Sequence, residues 1–371
     1  MEKLKKIDWK ILREYVDNKL IIINKHPEYD IWILNYSKEA QFTKTWDEYT
    51  MSCRGLVIDA EGNILARPFE KFKNYEEYDP SEIDWSQDFD VFEKMDGSLI
   101  ILFYYKLVSK WIVASRGSFT SEQALEAQKM LDASIYNIHI SVYNILTNIR
   151  LTYLFEILYP QNRIVVDYGN RRELVLLAVI EASTGYELPY ESVLATYSEY
   201  FTVVKKLELK SFDELRKLIN TGEDNKEGVV LRFVNGFRLK MKFAEYCRLH
   251  TIVTNVSNLV VWEHLKNNDD FEELLDRVPD EFFSWLNKII KALQLDFNEI
   301  EKQSLKEFQI IYHVNNITER KEFALQAINS DNCSILFKLY DKKPYDELIW
   351  KMIKPKFSKP FKDGYDEINK I

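Results

Sequence analysis

Apolar positions change their period along the chain. From Ile31 to about Met241 they alternate with polar residues or form short unbroken runs bounded by turn residues. IWILNYS, GLVIDAEGNILAR, SLIILFYY, WIVASRG, LTYLFEI, RIVVDY and LVLLAVI are examples, the patterns of half-buried and fully buried strands. Ahead of them, the stretch to about Pro27 reads as a helix followed by the apolar segment Leu20 to Ile23. Two insertions, Ser121 to about Leu146 and Tyr190 to Asn220, have helical character. VVLRFV and FRLKMKF are joined through Asn235-Gly236, which predicts a hairpin with a type I′ turn. After about Tyr246 strand signals nearly vanish. Residues 256–371 carry helix-period segments such as DEFFSWLNKIIKALQL, NEIEKQSLKEFQIIYHV and YDELIWKMI. A boundary near residue 250 follows, giving a strand-rich domain 1–250 and a helical domain 251–371.

Composition adds constraints rather than a function. A chain of 371 residues allows two or three domains. Its apolar and aromatic content can fill sizeable cores, and sparse Gly and Pro argue against long disordered linkers. The net charge of -9 disfavours a passive nucleic-acid coat. It is compatible with an enzyme that concentrates its cations in one groove. Cys53, Cys247 and Cys333 form neither a CxxC nor a zinc pattern, and their odd, low number fits a reducing compartment. The N-terminal MEKLKKIDWKILREY is charged throughout and has no apolar signal core. The longest apolar run, about Leu174 to Ile180, is too short to span a bilayer. A soluble, cytoplasmic protein with no membrane partner is expected.

Chemistry gathers around Glu93-Lys94-Met95-Asp96-Gly97-Ser98. Alone, K-x-D-G is a common surface turn, so the rest of the chain decides. Glu156 stands inside the apolar run Leu151 to Leu158, where a carboxylate is costly unless paired or metal-bound. Glu227 sits just ahead of an apolar strand, where a loop-edge carboxylate can reach a site. On the return strand, Arg238, Lys240 and Lys242 share one face and Leu239, Met241 and Phe243 the other. That charged face is either a solvent-facing edge or a floor for phosphates. Arg54 and Lys71 place further cations at strand ends, in SCRGLVID and RPFEKFKN.

Taken in order, these motifs resemble those of the RNA ligase 1 family, bacteriophage and tRNA-repair ligases within the covalent nucleotidyltransferases. EKMDGS is similar to that family's K-x-D-G-S. SCRGLVID is similar to its Arg-Gly strand, and RPFEKFKN to its R-P-x-x-K-F-F-N segment. LFEILYPQNRIVVDY, LVLLAV, EGVVLR and KMKFAEY are similar to the later motifs. The resemblance covers roughly residues 30–250. Two positions depart from it: Lys73 replaces the second Phe of K-F-F-N, and Arg116 in SRGS replaces the lysine of S-K-G.

The resemblance implies an α+β fold, a nucleotidyltransferase (ATP-grasp-like ligase) core of antiparallel sheets followed by an all-α C-terminal domain. It implies an ATP-dependent RNA ligase that forms a lysyl-AMP on Lys94, with Mg2+ or Mn2+ as the metal. Lys94, Asp96, Lys240 and Lys242 would be catalytic. Lys240 and Lys242 would neutralise the α-phosphate, and Asp96 would organise a metal-bound water or the ribose. Glu156 and Glu227 would be metal ligands, with the ribose an alternative for Glu156. Arg54, Lys71 and Arg116 would contact phosphates of the leaving group or the RNA end, and Tyr246 would serve ligation. Glu93 and Gly97 would flank the nucleotide, and Val230 would lie under the adenine or simply in the core.

RNA with 5′-phosphate and 3′-hydroxyl ends, such as cleaved tRNA, would be the substrate. The sequence has no GxxxxGK[ST] phosphate loop, so a separate end-healing kinase or phosphatase would supply those ends. The competing readings are a DNA ligase, a GTP-using capping enzyme, or a non-catalytic RNA-end-binding protein. The helical C-terminus disfavours the first two, which usually carry a downstream barrel of short strands.

Overall fold

Burial on both faces accounts for the unbroken apolar runs of the central strands. The computed structural model describes residues 3–137, 146, 148–209, 211–223, 225–247, 257–269 and 283–357. The chain divides into two compact units, Met1–His250 and Thr251–Ile371. In chain order the strands of the first unit are β1 (Ile21–Lys25), β2 (Ile31–Tyr36), β3 (Arg54–Asp59), β4 (Ile64–Ala66), β5 (Phe89–Lys94), β6 (Ser98–Tyr105), β7 (Lys110–Ser115), β8 (Leu151–Leu158), β9 (Glu173–Glu181), β10 (Thr202–Val203), β11 (Lys206–Leu207), β12 (Gly228–Phe233) and β13 (Arg238–Lys242). They form three sheets, ordered β1-β2-β3-β4, β10-β9-β8-β6-β7 and β11-β5-β12-β13.

Alternation along β6 shows how the middle sheet is covered. Ile101, Phe103 and Tyr105 pack with Ile31, Ile33 and Val57 of the first sheet. Ile100 and Leu102 turn the other way, toward Ala124, Ala127 and Leu131 of the helix Glu122–Asn137 and Val193 and Tyr197 of the helix Tyr190–Tyr197. A strand packed on both sides needs apolar residues at every position, which removes the alternation from its sequence. The first sheet's other face is covered by the helix Trp9–Asp17, where Leu12 joins Ile21, Leu34, Leu56 and Ile58. Asp8 caps that helix, accepting from the N–H of Lys10 at 2.7 Å, which satisfies one orphan donor of the first turn. In the third sheet Val91 pairs with Leu231 and Phe89 with Phe233, all on one face. Trp85 lies against Phe233 and against Phe212 of the helix Phe212–Thr221. The opposite face carries Phe92, Lys94, Val230, Lys240 and Lys242 by the same registers.

The fold is α+β, with largely antiparallel sheets and a helical C-terminal unit. Three expectations need correction. RIVVDY is not a strand: residues 163–168 form a loop, because the N–H groups of Val165 and Val166 are drawn to a side chain instead of a ladder. The insertion Tyr190 to Asn220 is not continuously helical, since β10 and β11 separate its two helices. Of those two, β10 adds a short parallel pairing to β9 at the edge of the middle sheet. The β12–β13 turn is not type I′, which requires positive φ at both central residues. Gly236 alone has it there, at +86°, and its N–H donates to Phe233 O while Phe233 N–H donates to Phe237 O. That is a tight turn followed by a glycine bulge.

In the second unit the described helices are Asn258–Asn267, Phe283–Phe308, Arg320–Ala327, Cys333–Tyr340 and Asp346–Met352, with a π-helical turn at Gln309–Val314. Phe323, Ala327 and Leu336 centre one core there, with Ile311 of the π turn packed against them. Of the basic C-terminal residues, Lys351, Lys354, Lys356 and Phe357 are described. Lys359, Phe361 and Lys362 lie outside the described residues.

Candidate active site

Cross-strand register brings three expected residues together. Gly228 of β12 sits opposite Lys94 of β5 on one side and Lys242 of β13 on the other. Directly opposed side chains share a face, so both lysines rise from the same side of the sheet. Glu227, one residue ahead of β12, projects its carboxylate between them. Lys94 Nζ lies 2.6 Å from Glu227 Oε1 and Lys242 Nζ lies 3.1 Å from the same oxygen. Lys240, two residues back along β13, is buried on the same face. Gly228 itself permits the approach: a Cβ there would come within 2.1 Å of Met241 O.

The turn after Lys94 is fixed by its own side chains. Asp96 is 3% exposed. Its Oδ1 accepts from the Tyr246 hydroxyl at 2.8 Å, and its Oδ2 accepts from the N–H groups of Val165 at 2.9 Å and Val166 at 2.8 Å. Its own N–H donates to the Tyr168 hydroxyl at 2.9 Å. A carboxylate with three protein donors is an anchor for the 163–168 loop and for Tyr246. Gly97 allows no side chain, because a Cβ would lie 2.5 Å from Ile157 O. Its N–H donates to Glu156 Oε1 at 3.1 Å.

Glu156 lies within electrostatic reach of Glu227. Burial is the main reason that the Glu156 carboxyl is pushed up to about 7. Lys94 and Arg54 oppose the rise and Glu227 adds to it. Burial likewise pushes the Tyr246 hydroxyl far up, with Glu227 contributing, so it stays a donor to Asp96. Among the described residues no group of three or more His, Cys, Asp or Glu could form a metal cage.

A second cluster holds Arg54, Lys71 and Arg116. Arg116 Nη1 donates to the Tyr36 hydroxyl at 3.3 Å and its guanidinium lies 5.4 Å from the Tyr36 ring centre. Arg54 also bonds Tyr36 and lies 5.7 Å from the Phe72 ring. Lys71, buried, sits 5.6 Å from the Tyr36 ring and 5.2 Å from that of Trp46. Aromatic faces hold cations without neutralising them. Arg54 Nη1 is buried and has no hydrogen-bond partner among the described residues, a costly state that an incoming acceptor would relieve. Burial pulls Arg54 below the ordinary arginine range, and Arg54 feels Glu156 across the site.

Other expected residues land elsewhere. Glu93 alternates to the face opposite Lys94 and its carboxylate meets Lys226 at 3.8 Å. Val230 is half-buried on the Lys94 face. Arg238, read with the phosphate floor, pairs instead with Glu187, which also meets Arg232 at 3.4 Å. It lies 4.6 Å from the Phe69 ring. Sequence reasoning missed Tyr36, Trp46, Phe72 and Tyr168. Single aromatic residues scattered among 22 Tyr, 22 Phe and 8 Trp give no pattern that would separate them.

The family model described as RNA ligase matches residues 52–246. An RNA ligase of Rhodothermus phage RM378 is 22% identical over 388 residues, covering 84% of this chain and 85% of that protein. A protein of Autographa californica nuclear polyhedrosis virus, provisionally named a bifunctional polynucleotide kinase/RNA ligase, is 25% identical over 296 residues. That match covers 72% of this chain but spans 40% of the viral protein's length. An archaeal ATP-dependent RNA ligase of known structure aligns with a TM-score of 0.45 at 17% identity, covering 74% of this chain and 70% of that one.

The raised Glu156 carboxyl has a definite consequence for stability. A carboxyl that titrates higher folded than unfolded binds its proton more readily in the folded state. Its contribution is fully present below the unfolded value and is lost as pH rises through about 7. Glu156→Gln, neutral at every pH, should therefore raise Tm relative to the wild type more at pH 8 than at pH 5, measured without metal or nucleotide. A difference that is larger at pH 5 would mean that Lys94 and Arg54 outweigh burial.

Proposed function

The chain belongs to the RNA ligase family, and from that premise we propose that it joins RNA 5′-phosphate and 3′-hydroxyl ends at the expense of ATP, through an AMP carried on Lys94. The observation that carries the reading is the shared contact of Lys94 and Lys242 on one oxygen of Glu227. It puts a nucleophile, a phosphate-neutralising cation and a proton-holding carboxylate within one contact of each other.

In the first step the Lys94 Nζ lone pair attacks the α-phosphorus of ATP. The bond from that phosphorus to the bridging oxygen breaks and pyrophosphate leaves. The attacking amine must shed a proton, and Glu227, already touching Nζ, is placed to hold it. Negative charge grows on the non-bridging oxygens, where Lys240 and Lys242 act as preorganised cations. In the second step an oxygen of the RNA 5′-phosphate attacks the same phosphorus and displaces Lys94, giving adenylylated RNA. In the third the 3′-hydroxyl attacks the RNA 5′-phosphorus and AMP leaves. Arg54, Lys71 and Arg116 receive the pyrophosphate end or the RNA phosphate, which would satisfy the buried Arg54 Nη1. Val230 lies on the face that the adenine would cover.

Mg2+ favours one or two carboxylates completed by substrate phosphates over an all-protein cage. Glu156 and Glu227 fit that pattern and would hold Mg2+ or Mn2+ together with the nucleotide. The ion would supply charge neutralisation at the phosphates. Asp96 and Tyr246 keep the turn that presents Lys94, and Gly97 aims Glu156.

We further assign the helical unit to RNA selection, with cleaved tRNA the favoured substrate class and its 5′-phosphate supplied by a separate kinase. The support is a cationic surface: Lys266 and Lys354 lie 5.4 Å and 5.0 Å from the ring of the buried Trp262, and Lys351, Lys356 and the aromatic Phe357 are exposed nearby in sequence.

Two experiments test these assignments. Given α-labelled ATP and Mg2+, the wild type should take up label and release it to 5′-phosphorylated RNA. Lys94→Ala and Lys94→Arg should take up none, since a guanidinium stays protonated. Lys242→Ala and Glu227→Ala should slow uptake by about two orders of magnitude, the scale for losing a preorganised charge contact. Wild-type labelling of the Lys94 variants would remove Lys94 as the nucleophile. Separately, neutralising Lys351, Lys354, Lys356, Lys359 and Lys362 should raise KM for cleaved tRNA and flatten its salt dependence, with adduct formation unchanged. An unaltered salt slope would leave the helical unit without an RNA role.

A further inference from the structure

The contacts around Lys94 close into a ring, and one member of that ring has no role in the chemistry described above. From Lys94 the chain runs two residues to Asp96, whose Oδ2 takes the N–H of Val166 at 2.8 Å. One residue on, the N–H of Asp167 donates to Asn225 Oδ1 at 2.7 Å, and Asn225 Nδ2 donates back to Asp167 O at 2.7 Å. Two residues beyond Asn225 stands Glu227, whose Oε1 returns to Lys94 Nζ at 2.6 Å. No covalent stretch in the circuit is longer than two residues. Asp96 and Glu227, at its other junctions, are buried, whereas the Asn225–Asp167 junction is exposed.

We propose that Asn225 is a positioning residue for adenylyl transfer, which latches the loop carrying Glu227 to the 163–168 loop and so fixes Glu227 against Lys94. The inference rests on the ligase reading above. Asn225 is suited to the task in two ways. Its amide presents an oxygen and an N–H side by side, the complement of a peptide group, so it grips the Asp167 main chain as a strand neighbour would. Its backbone sits at φ +57°, the left-handed region that Asn tolerates better than most residues. Val165 and Val166 spend their N–H groups on Asp96, so they form no ladder with a neighbouring strand. Asn225 replaces the missing ladder with a single reciprocal pair.

Its removal should let Glu227 drift relative to Lys94, and small misplacements of reacting groups cost much in rate. Asn225→Gly keeps the left-handed backbone and deletes both hydrogen bonds. Asp167→Asn keeps the main chain that Asn225 grips and removes only the charge that meets Arg163. Single-turnover formation of the protein–AMP adduct would be followed across ATP concentrations for the wild type and both variants, with Tm measured alongside. The latch predicts a maximal rate reduced about tenfold or more in Asn225→Gly. Half-saturating ATP and Tm should stay near wild type, and Asp167→Asn should behave as wild type. An unchanged maximal rate in Asn225→Gly, a shift confined to half-saturating ATP, or an equal loss in Asp167→Asn would each overturn it. Failure of the wild type itself to form an adduct would instead count against the ligase reading.

Discussion

Glu227 is almost fully withdrawn from water, and a carboxylate in that position stays charged only with partners at hand. It has two, Lys94 and Lys242, on the same oxygen. Much of the first unit can be understood as the apparatus for this contact. Three strands must run in register so that Lys94, Gly228 and Lys242 fall in line. The middle one must begin with glycine, because any side chain there would meet the neighbouring backbone. Without the glutamate the two half-buried lysines would lose the carboxylate that they share, and breaking a buried ion pair costs far more than the pair contributes.

The same contact joins structure to reactivity. In the proposed mechanism the lysine that attacks phosphorus is stored against the group that would take its proton, and a second lysine stands beside the place where charge would appear. Glu156 stands apart from this pair on the middle sheet, poised near neutrality by its burial. Arg54 links it to the aromatic-backed cations beyond. The site is thus assembled from all three sheets, with the middle sheet's double-sided core as its rigid support.

Legibility in the sequence followed the range of the interactions. The strands of the middle sheet were plain because burial on two faces writes continuous apolar runs. The lysine spacing on β13 was plain because strand alternation is local. Lys94, Glu227 and Lys242 could be grouped only through their ordered motifs, since nothing in spacing alone shows that residues 94 and 227 touch. The loop 163–168 misled because Val-Val has strand propensity, and its true conformation is set by a carboxylate 69 residues earlier. Glu93 shows a limit of adjacency: next to Lys94 in sequence, its side chain falls on the other face of the strand. Asn235-Gly236 named a hairpin correctly but not its turn, since negative φ at Asn235 depends on how β12 and β13 are staggered. Asn225 gave no signal at all, because its partner is a main chain.

The central claim is that Lys94 carries the adenylyl group. It is tested most directly by incubating the wild-type protein with ATP and Mg2+ and mapping the modified peptide by mass spectrometry. The account predicts one adenylyl group, attached through an acid-labile phosphorus–nitrogen bond to Lys94, and lost when RNA with a 5′-phosphate is added. An adenylyl group on any other residue, or a Lys94 adduct that such RNA cannot discharge, would contradict it.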